Sequence, residues 1–171
     1  IKNRAPLVAV VAVSPDGRRA VSGSERKLTV WDLADGRALR TIGARTGCGW
    51  QASVSGDCVR AVNPSDDGTL EVWDLEQAKL LLTFARGGDA SYGLALCADG
   101  TRAISGSYEG TLSVWNLVKG QFWSALARRT SSRYRWSGGY VTALGISAKG
   151  TRAVSAHYHG CLRVWDVRRC R

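Results

Sequence analysis

Residues Asp99–Leu117, DGTRAISGSYEGTLSVWNL, decide how the whole chain is read. A turn at Asp99-Gly100 leads into an alternating run with Arg102, Ala103 and Ile104. A second turn, Tyr108-Glu109-Gly110, leads into another alternating run, Thr111 to Leu117, which holds Trp115. Period-two alternation on either side of a turn glycine predicts two antiparallel strands, because glycine supplies the positive φ that a tight hairpin needs. The unit recurs as DGRRAVSGSERKLTVWDL (Asp16–Leu33), CVRAVNPSDDGTLEVWDL (Cys58–Leu75) and KGTRAVSAHYHGCLRVWDV (Lys149–Val167). Trp31, Trp73, Trp115 and Trp165 are therefore spaced 42, 42 and 50 residues apart.

The bulk properties agree with a β protein. The chain has 171 residues, 44% hydrophobic, with 20 glycines to serve many turns. Its longest apolar run, Leu7 to Val13, is far short of the roughly 18 residues a membrane span needs, so no membrane partner is expected. No methionine is present and Ile stands first, so the chain is expected to begin inside a longer product or after processing. Net charge is +10, from 24 basic and 14 acidic side chains. That charge suits an acidic protein partner or nucleic acid, and equally a merely solvated surface. Cys48, Cys58, Cys97, Cys161 and Cys170 are odd in number and include no C-x-x-C, so neither a disulfide framework nor a zinc motif is signalled. Cys97 and Cys161 fall in strand patterns, where cysteine acts as a small hydrophobe, and a reducing, cytoplasmic location is the simplest expectation.

Each unit reads as four strands, a to d, giving repeats at about 7–42, 50–84, 91–126 and 140–167 within one domain over 1–171. Strand a of the first unit is unbroken in its hydrophobicity, which predicts burial on both faces. The second unit has Asp57-Cys58 where the others have Asp-Gly or Lys-Gly. The fourth has no strand d.

Self-similarity at about 40–45 residues, with Trp-Asp closing each unit, marks WD-repeat propeller blades. By Trp31-Asp32, Trp73-Asp74, Trp115-Asn116 and Trp165-Asp166 the chain resembles the WD-repeat β-propeller family over nearly all its length, in a degenerate, prokaryotic-style form. The resemblance implies an all-β fold of four four-stranded blades. A partial, carboxy-terminal propeller is the favoured form, and a closed four-bladed ring or a homodimer completing the ring are the alternatives. It also implies a blade-stabilising set: an acid in the b–c turn, a His before strand a, a hydroxyl in strand b and the Trp. The matching positions are Glu25, Asp67, Glu109 and His159 for the acid, and Ser22, Asn63, Ser105 and Ser155 for the hydroxyl. No Gly-His precedes any strand a, so the set is incomplete, and packing is expected to carry more of the stability.

Signals of chemistry are weak. His157, His159 and Cys161 form H-x-H-x-C, but the b–c turn interrupts them and no other His exists to complete a tetrahedral site, so no metal is expected. The acids lie mostly in turns at repeat positions and no phosphate-binding glycine motif is present, so no cofactor and no catalytic residue are expected.

One departure from the repeat stands out. The connection from the third unit to the fourth is eight residues longer than its equivalents and reads ARRTSSRYRWSGGY, Ala127 to Tyr140. It interleaves Arg128, Arg129, Arg133 and Arg135 with Tyr134 and Trp136. These are interface-anchoring residue types, and basic–aromatic interleaving also suits single-stranded nucleic acid; a solvated insertion is the plain alternative. The functional expectation is a non-enzymatic protein-interaction scaffold or recognition domain within a larger protein. A nucleic-acid-binding module acting through Arg128–Trp136, or a decayed propeller without a function of its own, stand as alternatives.

Overall fold

The computed structural model describes residues 8–14, 16–24, 27–43, 52–64, 69–84, 91–107, 110–127, 140–158 and 160–169. They form four antiparallel sheets, each built from consecutive strands. The first holds β1 (Val8–Val13), β2 (Arg19–Ser24), β3 (Lys27–Asp32) and β4 (Ala38–Gly43). The second holds β5 (Ser53–Val54), β6 (Arg60–Pro64), β7 (Leu70–Asp74) and β8 (Lys79–Phe84). The third holds β9 (Ser91–Leu96), β10 (Arg102–Ser107), β11 (Leu112–Asn116) and β12 (Gln121–Ala127). The fourth has three strands, β13 (Val141–Ile146), β14 (Arg152–His157) and β15 (Leu162–Asp166), followed by a 3-10 turn, Val167–Arg169. The all-β expectation of four WD-like blades holds.

The register explains the repeated Arg-Ala of strand b. In each sheet the bulky indole lies opposite an alanine: Trp31 opposite Ala20, Trp73 opposite Ala61, Trp115 opposite Ala103 and Trp165 opposite Ala153. The third strand is irregular beside its Trp, with a register shift at Val30/Trp31, Val72/Trp73 and Val114/Trp115.

The core lies between sheets. Val21, Leu28, Val30 and Ile42 of the first sheet pack with Ala61 and Leu75 of the second. Val62, Leu70, Val72 and Phe84 pack with Leu96, Trp115 and Leu117 of the third. Ile104 and Val114 pack with Ala153 and Val167 of the fourth. Burying each Val, Leu or Ile contributes about 1.5–3 kcal/mol. Contact is tightest at Gly106 in β10, where an added Cβ would come within 2.6 Å of Val141 in the next sheet. Only glycine lets β13 approach so closely.

Two expectations are corrected. Strand a of the first unit is not buried on both faces: Val11 and Val13 are exposed, because no sheet covers that side of β1 among the described residues. Cys97 and Cys161 are not strand hydrophobes either. Cys161 is exposed and precedes β15, and Cys97 is buried at the turn after β9, where it has a polar role.

Candidate functional site

Because consecutive strands are antiparallel, the a–b and c–d turns lie at one end of each sheet, and the ends of strands b and d lie with the starts of strands a and c at the other.

The first end is a repeated scaffold. Ser14 Oγ donates to Asp16 Oδ1 at 2.6 Å and accepts from the Arg19 amide at 2.9 Å. Ser55 does the same with Asp57 and Arg60. In the third sheet a thiol replaces the hydroxyl: Cys97 Sγ donates to Asp99 Oδ1 at 2.8 Å and accepts from the Arg102 amide at 3.1 Å. The hydrogen bond from Ser14 holds the Asp16 carboxyl below its ordinary pKa, and the Cys97 thiol does so for Asp99. Burial pushes the Cys58 and Cys97 thiols up, and the bond to Asp99 adds to the effect at Cys97. Cys58 occupies the turn position that glycine holds elsewhere, with φ of 56°.

The acid that follows each Trp caps the c–d turn. Asp32 Oδ1 accepts from the Ala34 amide, Asp74 Oδ1 from Glu76 and Gln77, and Asp166 Oδ1 from Arg168. Asn116 Oδ1 accepts from Val118 and Lys119 in the same way. The cap needs an acceptor oxygen rather than a charge, which is why Asn can stand in one unit.

The strand-b positions inferred from the repeat do meet the indoles. Trp31 Nε1 donates to Ser22 Oγ at 2.8 Å, Trp115 to Ser105 Oγ at 2.9 Å and Trp165 to Ser155 Oγ at 2.9 Å. The second sheet differs: Trp73 donates to Glu71 Oε2 at 3.0 Å, and the Asn63 amide reaches the same oxygen at 3.4 Å. Glu71 and Asn63 are both buried. Sequence reasoning missed Glu71, and the asparagine at the hydroxyl position was the available signal.

At the second end the fourth sheet is distinctive. Ser155 Oγ accepts from Trp165 and shares a 2.9 Å hydrogen bond with His157 Nε2, and both residues are buried. His157 thus extends the indole–hydroxyl pair from within strand b. A Ser–His pair can activate a nucleophile, but this hydroxyl is fully buried and already accepts the indole hydrogen, so it acts as framework. His157 is buried whereas Cys161 is exposed, so the H-x-H-x-C residues are not brought together, and His159 lies outside the described residues. Directly beyond His157, the exposed Tyr158 donates its amide to the Tyr140 carbonyl at 3.0 Å. Their rings stack at 4.6 Å. This fixes the end of the long connection against the b–c turn of the fourth sheet.

Arg128, Arg129, Arg133, Tyr134, Arg135 and Trp136 lie outside the described residues, as do the turn positions Glu25, Asp67 and Glu109.

The family described as "WD domain, G-beta repeat", WD40, matches residues 4–32, 79–116 and 130–166. The chain belongs to the WD40-repeat family. WD40 repeats are generally protein-interaction scaffolds and typically non-catalytic. The matched segments end at Asp32, Asn116 and Asp166, so each closes on the residue that caps a c–d turn. Residues 33–78 fall between matches, and that interval holds Cys58, Asn63, Glu71 and Ala78, which depart from the other units. No curated protein matches the chain.

Proposed function

We propose that this chain is a non-catalytic recognition platform that binds an acidic protein segment at the end carrying its b–c turns and d-to-a connections. The observation that carries the reading is the Tyr140–Tyr158 stack, which anchors the one enlarged connection of the repeat at that end. Rigid sheets under variable loops are a common way to present binding residues. The sequence supplies Arg128, Arg129, Arg133 and Arg135 for carboxylates, with Tyr134 and Trp136 as aromatic anchors. A cytoplasmic setting is part of the proposal, supported by Cys97, whose thiol acts as a hydrogen-bond donor that a disulfide would remove.

The test is calorimetric titration with acidic and charge-neutral peptides of equal length and with a single-stranded oligonucleotide. The expected result is selective binding of the acidic peptide, weakened at least about tenfold by replacing the four arginines with alanine. Failure of every peptide to bind, or binding indifferent to the arginines, contradicts the reading. Oligonucleotide binding with a steep salt dependence would instead favour nucleic-acid recognition.

A further inference from the structure

The buried polar pair of the second sheet differs in kind from its counterparts. Asn63 and Glu71 stand opposite each other in β6 and β7, where the other sheets pair Ser22 with Thr29, Ser105 with Ser113 and Ser155 with Arg163. Only the second sheet places a carboxylate at this position, and it buries it: Glu71 is 5% exposed and Asn63 0%. Two residues along, Ala61 and Trp73 share this face and pack with Val21, Leu28 and Val30 of the first sheet. The pair therefore lies at the junction of the first two sheets.

Its hydrogen bonds are lopsided. Asn63 Nδ2 lies 3.4 Å from both the Pro64 carbonyl and Glu71 Oε2, and only the amide hydrogens suit two acceptors, which turns Asn63 Oδ1 the other way. Oδ1 is buried and has no hydrogen-bond partner. Glu71 Oε2 takes the Trp73 indole as well, whereas Oε1 accepts from no described residue. The ion pairs among the described residues are Arg19–Glu76, Arg37–Asp35 and Arg168–Asp166, and none of them reaches Glu71. The sequence adds to the imbalance. Residues 61–78 hold five of the chain's 14 acids, Asp66, Asp67, Glu71, Asp74 and Glu76, and no Lys or Arg. A buried carboxylate and a buried carbonyl that both lack a donor are costly unless a positive group meets them. A water molecule donating to both oxygens leaves the charge in place, whereas a cation satisfies both and neutralises it.

We propose that Asn63 Oδ1 and Glu71 Oε1 bind a hard, oxygen-seeking cation of the calcium class at the junction of the first and second sheets. A carboxylate and an amide oxygen are ligand types that calcium takes, with waters and backbone oxygens completing its shell of about six to eight. No imidazole or thiolate takes part, which disfavours softer metals. Bound there, the cation ties β6 to β7 in the one sheet whose indole lacks a serine partner. The H-x-H-x-C stretch has no part in this site, and the site does not depend on recognition of an acidic segment.

The experiment is a calorimetric titration of the metal-stripped 171-residue chain with calcium chloride, paired with thermal unfolding over the same concentrations. The expected result is one calcium per chain, with a Kd of about 10⁻⁵–10⁻³ M and a melting temperature that rises as the site fills. Glu71→Gln keeps an oxygen for the Trp73 indole but removes the charge, and is expected to weaken binding at least about tenfold. Asn63→Ala removes the unpartnered carbonyl and gives a second reading should Glu71→Gln fail to fold; a loss of about tenfold is expected there too. Glu76→Gln takes a charge from the same stretch beyond the far end of β7 and leaves binding unchanged. Absence of both heat and a rise in melting temperature up to about 10 mM calcium overturns the proposal. A rise that potassium chloride reproduces at equal ionic strength also overturns it. So does calcium binding that survives Glu71→Gln and Asn63→Ala, or that Glu76→Gln weakens as much as they do.

Discussion

The Trp73 indole donates its hydrogen to Glu71, two residues earlier on the same strand, whereas the other three repeat indoles donate to a serine across the sheet. In β7 the glutamate is turned inward because Asn63 stands where the hydroxyl is found elsewhere and presents an amide that also needs an acceptor. Glu71→Ala would take the acceptor from the part-buried Trp73 indole and leave the Asn63 amide only its 3.4 Å bond to the Pro64 carbonyl, and a loss of about 1–3 kcal/mol is expected by urea denaturation. Asn63→Ser combined with Glu71→Thr installs the pair seen at Ser22 and Thr29, and is expected to recover most of that loss.

The same hydrogen bond should matter differently in different sheets. Ser105 is fully buried and Trp115 nearly so, packed 5.1 Å from the Phe84 ring. Trp31 is only partly buried, and among the described residues no sheet covers its outer side. Ser105→Ala is expected to cost about 1–3 kcal/mol, and Ser22→Ala less than half as much, because water can replace the lost partner at Trp31. Equal losses in paired denaturation curves would contradict this.

Backbone strain gives a third prediction. Ala78 has φ of 53° at the turn where Gly36 and Gly120 have 72° and 62°. Ala78 is exposed, so Ala78→Gly removes strain with no loss of packing, and a gain of about 0.5–1 kcal/mol is expected after the added freedom of the unfolded chain is subtracted. Gly120→Ala is expected to move the melting temperature in the opposite direction.

Stability should fall at both extremes of pH. The Asp99 carboxyl is held below its ordinary 3.8 by the Cys97 thiol, so the folded state keeps it ionised more readily than the unfolded chain does. That contribution is complete above the unfolded value and is lost as pH drops through the lower folded one. The Cys58 and Cys97 thiols are raised above 9.0 by burial, so their contribution is complete below the unfolded value and is lost as pH rises toward the folded one. Urea midpoints from pH 3 to 10.5 should show both limbs. Asp99→Asn should flatten the acid limb, and Cys97→Ser should shrink the alkaline one while keeping the turn, as Ser14 and Ser55 do.

Much of this was legible in the sequence because each unit repeats the same local chemistry. The spacing of Trp31, Trp73, Trp115 and Trp165 located four sheets, and counting back from each Trp located Ser22, Ser105 and Ser155. What escaped depends on neighbours in space. Val11 and Val13 read as buried from their hydrophobicity, but burial needs a covering sheet. Glu71 occupies an alternate position that is only partly buried at Thr29, Ser113 and Arg163, so its own place in the strand does not show it turned inward, and the signal lay in Asn63 at the hydroxyl position. His157 read as part of a broken metal motif, whereas its place two residues after Ser155 puts it on the same face as that hydroxyl.

The most direct test of the recognition account is a nuclear magnetic resonance titration of the labelled chain with an acidic peptide. The account predicts that perturbed resonances cluster at Tyr140, Tyr158 and residues 128–136. Perturbations confined to the opposite end, at the turns capped by Asp32, Asp74, Asn116 and Asp166, or none at all, would contradict it.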